Sequence, residues 1–145
     1  MNLDWRVRDA VWNDDFNLIQ TVRYSVFTLE QGVSREIDID GKDSHCIHFL
    51  AETNSGDPIG CARLALSGRV GRVAVVKKWR RHGVGGKIMN CLINHSELLE
   101  MPKTYLHSQL MVVAFYESLG YKSEGSVFNE ADIPHVLMVR KTNNA

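Results

Sequence analysis

Between Lys77 and Asn90 the chain reads KKWRRHGVGGKIMN, with two arginines, a histidine and three glycines ahead of an amphipathic run. Glycine costs a helix interior roughly 1 kcal/mol relative to alanine. Gly83, Gly85 and Gly86 at a helix mouth therefore point to something that comes close to the backbone: a phosphate, a tight turn or another strand. The first amides of a helix lack intrahelical acceptors, and the helix dipole favours negative charge there. Arg80, Arg81 and Lys87 add positive charge beside them. A P-loop pattern fails twice, because its first glycine falls on Arg81 and its last residue on Ile88. A dinucleotide fingerprint accepts Gly83 and Gly85 but meets Ile88 at its third glycine. A third pattern, Arg/Gln-x-x-Gly-x-Gly/Ala, is met in full by Arg80-Arg81-His82-Gly83-Val84-Gly85.

On this loop the sequence resembles the GCN5-related N-acetyltransferase (GNAT) superfamily. The resemblance implies that the amides from Arg81 to Gly86 hold the pyrophosphate of acetyl-CoA, with the side chains of Arg80, Arg81, His82 and Lys87 around it. GRVAVV precedes the loop as the family's central strand does, so Val73, Ala74 and Val75 would offer backbone groups to the pantetheine arm. Downstream, AFYESLGY is similar to the family's second cofactor motif. It implies that Phe115 lines the cofactor site and that Tyr116 is the general acid to the leaving thiolate. A phenol pKa near 10 lies above that of a thiol. Gln109 ends the preceding strand, where it could bond the cofactor or a substrate carbonyl, and His107 shares its face. RYSVFTLEQGV, Glu36, Asp38, Asp40, GCARL and IPHVLMVR extend the resemblance to the ElaA/YjcF-like branch and to essentially the whole chain.

Many family members keep a glutamate on the central strand as base, but SGRVGRVAVV contains no carboxylate. The acidic stretch with Glu30, Glu36, Asp38, Asp40 and Asp43 could wall an acceptor site and attract a cationic amine; it could equally be a solvated loop. Glu30 and His135 are the candidates for base or relay. The expected reaction is direct acetyl transfer in a ternary complex, to a small-molecule or peptide primary amine. Alternatives are a CoA-binding sensor without turnover, or a larger acyl-CoA as donor. A remote kinship to acyl-homoserine-lactone synthases, which use S-adenosylmethionine, rests on RYSVF and the acidic residues. The family's members are often dimers, so a homodimer is compatible.

These residues need a scaffold. LDWRVRDA alternates like a strand, and Asn13 or Asp14 would cap a helix whose apolar face is Phe16, Ile19, Val22, Val26 and Leu29, ending near Gly32. CIHFLAE, IGCARLAL and GRVAVV read as strands. Ile88, Met89, Leu92, Ile93 and Ser96 form one face of the glycine-headed helix. TYLHSQ, YKSEG and IPHVLMVRK read as strands around the helix MVVAFYESLG. The order predicts an α/β fold of the GNAT type, a mixed central sheet of six to seven strands flanked by helices, in one domain over residues 1–145. Only the KTNNA tail has nothing to pack.

Lys and Arg total 17, equal to Asp and Glu, which leaves no bulk charge for nucleic acid or an anionic membrane. No apolar run reaches a membrane span, and MNLDWRVRD has no signal-peptide core. Cys46, Cys61 and Cys91 form no C-x-x-C and fit a reducing cytoplasm as small buried hydrophobes. HCIH lacks a second ligand pair, so no metal is expected.

Overall fold

The computed structural model describes residues 4–142. Leu3, placed by the sequence in the first strand, and residues 143–145 of the KTNNA tail lie outside the described residues. The described chain runs β1 (Trp5–Ala10), α1 (Trp12–Arg23), a π-helical segment (Tyr24–Glu30), α2 (Arg35–Asp38), β2 (Cys46–Thr53), β3 (Pro58–Ala65) and β4 (Val70–Val75). It continues with α3 (Val84–Leu98), β5 (Lys103–Gln109), α4 (Val113–Ser118), β6 (Lys122–Glu130) and β7 (Ile133–Lys141).

The strands form two antiparallel sheets, ordered β1-β2-β3-β4 and β5-β7-β6. One parallel bridge, Arg69 with Tyr105, joins them, so the mixed character of the expected sheet rests on that single contact. The bridge is held by the Tyr105 N–H, which donates to the Gly68 carbonyl at 3.0 Å. Gly68 has φ of +95°, and a Cβ there would sit 2.5 Å from the Lys103 carbonyl oxygen. Only glycine fits this turn without moving the two sheets apart.

β3 packs against both α1 and α3, and all six residues from Ile59 to Leu64 are buried, Arg63 among them with its charge met by Asp40 and Asp43. The α3 face is as its spacing predicts, with Ile88, Met89, Leu92, Ile93 and Ser96 all buried. Beneath it Gly60 has no room for a side chain, since a Cβ would lie 2.8 Å from Ile88 Cδ1 and 3.1 Å from Val84 Cγ1.

α1 departs from expectation at both ends. Neither Asn13 nor Asp14 caps it; the cap position is Val11, whose N–H donates to the Asp15 carboxylate at 2.9 Å. Asp15 is held there by Arg8, whose guanidinium nitrogens lie 2.9 and 3.1 Å from its two oxygens. At the other end the helix passes directly into the π-helical segment. That wider turn takes the chain off the 3.6-residue repeat, so Ile19, Val22 and Val26 are buried but Leu29 is exposed. Phe16 is also largely exposed.

The three aspartates of the acidic stretch are engaged by arginines rather than free, whereas Glu36 is exposed. Asp38 and Asp43 are buried, and Arg23, fully buried on α1, reaches them at 3.0 and 2.8 Å. Arg63 of β3 bonds Asp43 at 2.9 Å and both oxygens of Asp40. Arg72 of β4 adds contacts to Asp38 at 3.1 Å and Asp40 at 3.3 Å. Three arginines thus match three aspartates, and the partners come from elements far apart in sequence.

The Arg63 hydrogen bonds hold the Asp40 carboxyl well below its ordinary range. Burial pushes Asp43 up, but hydrogen bonds and charge from Arg23 and Arg63 outweigh it and the net direction is down. A carboxylate lowered in the folded state stabilises above its unfolded pKa, near 3.9, and that stabilisation is lost as pH falls through the folded value. Stability against urea should therefore fall below about pH 4, and Asp40→Asn should make that acid limb shallower. Arg23→Ala would leave two buried aspartates without their main partner and should cost about 3–5 kcal/mol in urea unfolding; a loss below ~1 kcal/mol would remove the network from the core's account.

Candidate active site

β4 sets the site. Its register against β3 shifts between the Cys61–Ala74 and Arg63–Gly71 pairs, leaving Arg72 and Val73 as a bulge. Arg72 takes φ of +53°, a left-handed conformation rare for a residue with a side chain, and its carbonyl accepts from Cys61 Sγ at 3.4 Å. On its other edge β4 has no ladder partner after the Arg69–Tyr105 bridge, because β5 pairs onward only with β7. Backbone groups of Val73, Ala74 and Val75 thus face a cavity of about 1000 Å³.

The mouth of α3 opens on the same cavity. Gly83 is its N-cap residue at φ of +81°, and Arg81 before it has φ of +65°. The amides of Val84, Gly85 and Gly86 precede the first intrahelical bond, from Lys87 N–H to the Gly83 carbonyl. Arg80, Arg81, Gly83, Val84, Gly85 and Gly86 line the cavity. His82 and Lys87 do not. The His82 ring lies against Arg80 O and Trp79, and Lys87 Nζ sits 5.3 Å over the Trp5 ring, turned away from the expected phosphate position.

Arg80 is engaged twice. Its Nε donates to the Val75 carbonyl at 2.9 Å, and its two terminal nitrogens grip Glu30 at 2.9 and 2.6 Å. Glu30, expected as a base, is therefore held by a guanidinium that also touches β4. The π-helical segment delivers Glu30, along with Val26 and Phe27, to the cavity wall.

α4 brings Phe115 and Tyr116. The Phe115 ring lies 3.4 Å from where a Gly85 Cβ would stand, closing the cavity between the two family motifs. Tyr116 is buried, with its ring edge-on to Phe115 and Tyr121, and its hydroxyl has no hydrogen-bond partner among the described residues. Burial, with a smaller push from Tyr121, raises its phenol well above the ordinary value, so it stays protonated at neutral pH. Gln109 exchanges hydrogen bonds with Gln31 at 3.0 and 3.4 Å, tying β5 to the end of the π-helical segment.

The far wall was only partly anticipated. His107 and His135 line it as candidates from sequence, but Arg69 and Glu130 were not singled out. Glu130 sits at the β6–β7 turn, and no local spacing ties it to a histidine 23 residues earlier. The signal available was alternation: Tyr105, His107 and Gln109 share one face of β5, and the register places His135 opposite Gln109.

Cys46, Cys61 and Cys91 are unpaired, and only Cys61 is fully buried, with its thiol pushed up to about 12 by burial. Such a thiol is protonated and inert, and none of the three cysteines is among the residues that line the cavity. No group of three or more metal-ligating side chains occurs among the described residues. None of the described helices is long and apolar enough to cross a membrane.

Comparison with known proteins agrees with this geometry. A candidate acetyltransferase of Bacillus subtilis is 32% identical over 145 residues, spanning 96% of this chain and 98% of its own. ElaA of Escherichia coli superposes with a TM-score of 0.84 at 26% identity, covering 94% of this chain and 99% of its own. A GNAT family acetyltransferase of Elizabethkingia anophelis, solved with acetyl-CoA bound, shares the fold at a TM-score of 0.70 and 15% identity, covering 96% and 99%. The family model described as an acetyltransferase (GNAT) domain matches residues 18–142. A chain with the bulged, half-open central strand, the glycine-headed helix and matches of this extent belongs to the GNAT acetyltransferase family.

Proposed function

We propose that this chain, acting as one GNAT domain over residues 1–145, moves the acetyl group of acetyl-CoA directly to a primary amine in a ternary complex. The observation that carries the reading is the meeting of three features in one cavity: the open edge of β4, the free amides of α3 and the Tyr116 hydroxyl. The amides from Arg81 to Gly86 would hold the pyrophosphate, with Arg80 and Arg81 screening its charge. Val73 to Val75 would pair with the pantetheine arm as a neighbouring strand would. A backbone N–H at the Arg72–Val73 bulge, freed from the β3 ladder, would polarise the thioester carbonyl. Tyr116 would donate its hydroxyl proton to the departing sulfur.

The acceptor proposed is an amine of a small molecule or peptide. Attraction of a cation by the acidic stretch has little support, since Arg23, Arg63 and Arg72 cancel Asp38, Asp40 and Asp43. Glu30 and His135 remain base candidates on position. Each is already committed, Glu30 to Arg80 and the His135 Nδ1 to the Ile133 carbonyl at 2.6 Å. Unpaired cysteines support a cytoplasmic setting.

Two outcomes test the reading. Calorimetric titration of acetyl-CoA should give micromolar binding to the wild type and none to Gly85→Glu, whose carboxylate would enter the anion site; absence of wild-type binding would sink the proposal. Tyr116→Phe should keep that affinity while thiol release in the presence of an accepted amine falls about 10²–10⁴-fold. An unchanged rate would remove Tyr116 from the acid role.

A further inference from the structure

The face of the second sheet that looks into the cavity carries a carboxylate-bonded histidine that the motifs of the family do not assign. His107 on β5 places Nδ1 2.8 Å from Glu130 Oε1 across the sheet. The other carboxylate oxygen, Oε2, lies 3.8 Å from the His135 Nε2 on β7. Phe128 packs edge-on to the His107 ring at 5.0 Å and stacks on His135 at 6.1 Å, so both rings are held from the same side. The register makes this one surface: Gln109 pairs with His135, and Phe128 pairs with His135 from the opposite neighbour. His107, Glu130 and His135 all line the cavity that also contains Tyr116.

The charged and titratable groups facing His107 are Glu130 from β6, His135 from β7 by way of Glu130, and Arg69 from the turn before β4. Arg69 Nη2 stands 3.1 Å from the same Nδ1 and 3.7 Å from Glu130 Oε1. One nitrogen of a neutral imidazole cannot both donate to Glu130 and accept from Arg69. Both bonds are charge-assisted, but the contact to the carboxylate is the shorter, 2.8 against 3.1 Å, and would set two lone pairs against each other without a hydrogen on Nδ1. It selects the tautomer with hydrogen on Nδ1, leaving Arg69 to pair with the carboxylate. Partial burial pushes Glu130 up, but the His107 hydrogen bond and nearby positive charge outweigh it and hold it ionised. In that tautomer Nε2 carries a lone pair, and it has no hydrogen-bond partner among the described residues.

We infer that His107 Nε2 is the proton acceptor for the incoming amine, and that Glu130 is the positioning residue that fixes its tautomer. This inference rests on the acetyl-transfer reading. His107 takes one proton from the alkylammonium and later releases it to solvent, leaving a neutral amine. The nitrogen lone pair forms the C–N bond as the C–S bond breaks. The second nitrogen proton then replaces the one Tyr116 gives to sulfur, so the products are the amide, the free thiol and one proton. The missing central-strand carboxylate is thereby replaced from the opposite side of the cavity.

The test has two arms. In the first, nitrogen-resolved NMR of the histidine side chains in the wild type should show neutral His107 protonated at Nδ1, and Glu130→Gln should shift it towards the Nε2–H form. A wild-type Nε2–H tautomer, with Nδ1 accepting from Arg69, overturns the inference. In the second, thiol release from acetyl-CoA is followed with ethylamine, which is cationic at neutral pH, and with trifluoroethylamine, which is largely neutral there. His107→Gln should lose about 10²–10⁴-fold in kcat/KM for ethylamine and far less for trifluoroethylamine. Glu130→Gln should fall between wild type and His107→Gln. Equal losses on both amines overturn the base role. If the wild type binds acetyl-CoA but transfers to neither amine, the acetyl-transfer reading is what these probes contradict, and the NMR arm still decides the His107–Glu130 geometry on its own.

Discussion

Everything at the site depends on one hydrogen-bond ladder that stops. β4 and β5 meet through Arg69 and Tyr105 and then part, and each strand leaves its remaining backbone groups without a strand partner on that side. Unpaired backbone donors and acceptors are costly when buried dry. The chain keeps them wet by lining the gap with a large cavity rather than packing it shut. The same gap is therefore a docking edge. Gly68 makes the arrangement possible, because its carbonyl anchors the two sheets at the one bridge between them among the described residues. A side chain there would pry the hinge of the wedge.

Charge inside the fold is organised by the same economy. Arg23, Arg63 and Arg72 converge from α1, β3 and β4 on three aspartates of one short segment. Buried ion pairs contribute little net stability compared with apolar packing, but breaking one is costly. Their effect here is geometric: they fasten the stretch from Asp38 to Asp43 against the bulged part of β4, with Arg72 itself a member of the bulge. The wall of the cavity and the strained backbone of β4 are thus parts of one network. Glu30 and Arg80 repeat the device at the other end of β4, where Arg80 also bonds the Val75 carbonyl.

Periodicity made most of the framework legible. The α3 face, six of the seven strands and the glycine-headed helix follow from local spacing, because burial on one side of a regular element writes itself directly into residue order. Four features did not. β6 runs on to Glu130, past the YKSEG stretch that reads as a strand. The π-helical turn after Arg23 has no composition signal, so Leu29 was assigned to a face it does not occupy. The bulge at Arg72 uses a non-glycine residue in a left-handed conformation, where a glycine would have announced it. Finally, the ion pair of Arg23 with Asp38 and the hydrogen bond of His107 with Glu130 join residues through the fold rather than along the chain. An acidic stretch read alone looks solvated or substrate-facing; its arginines are visible only in three dimensions.

Gly60 has a consequence for chemistry at a distance. With no side chain beneath Ile88 and Val84, α3 seats flush on β3, and β3 is laddered to β4. The anion-holding end of the helix and the bulge on the strand are therefore both seated on β3, in addition to the segment of residues 76–83 that joins them along the chain. In the proposed donor pose that fixed span acts as a gauge. Only a carrier whose arm matches it brings its carbonyl to the bulge while its phosphates sit on the helix, so donor length is measured by the scaffold itself.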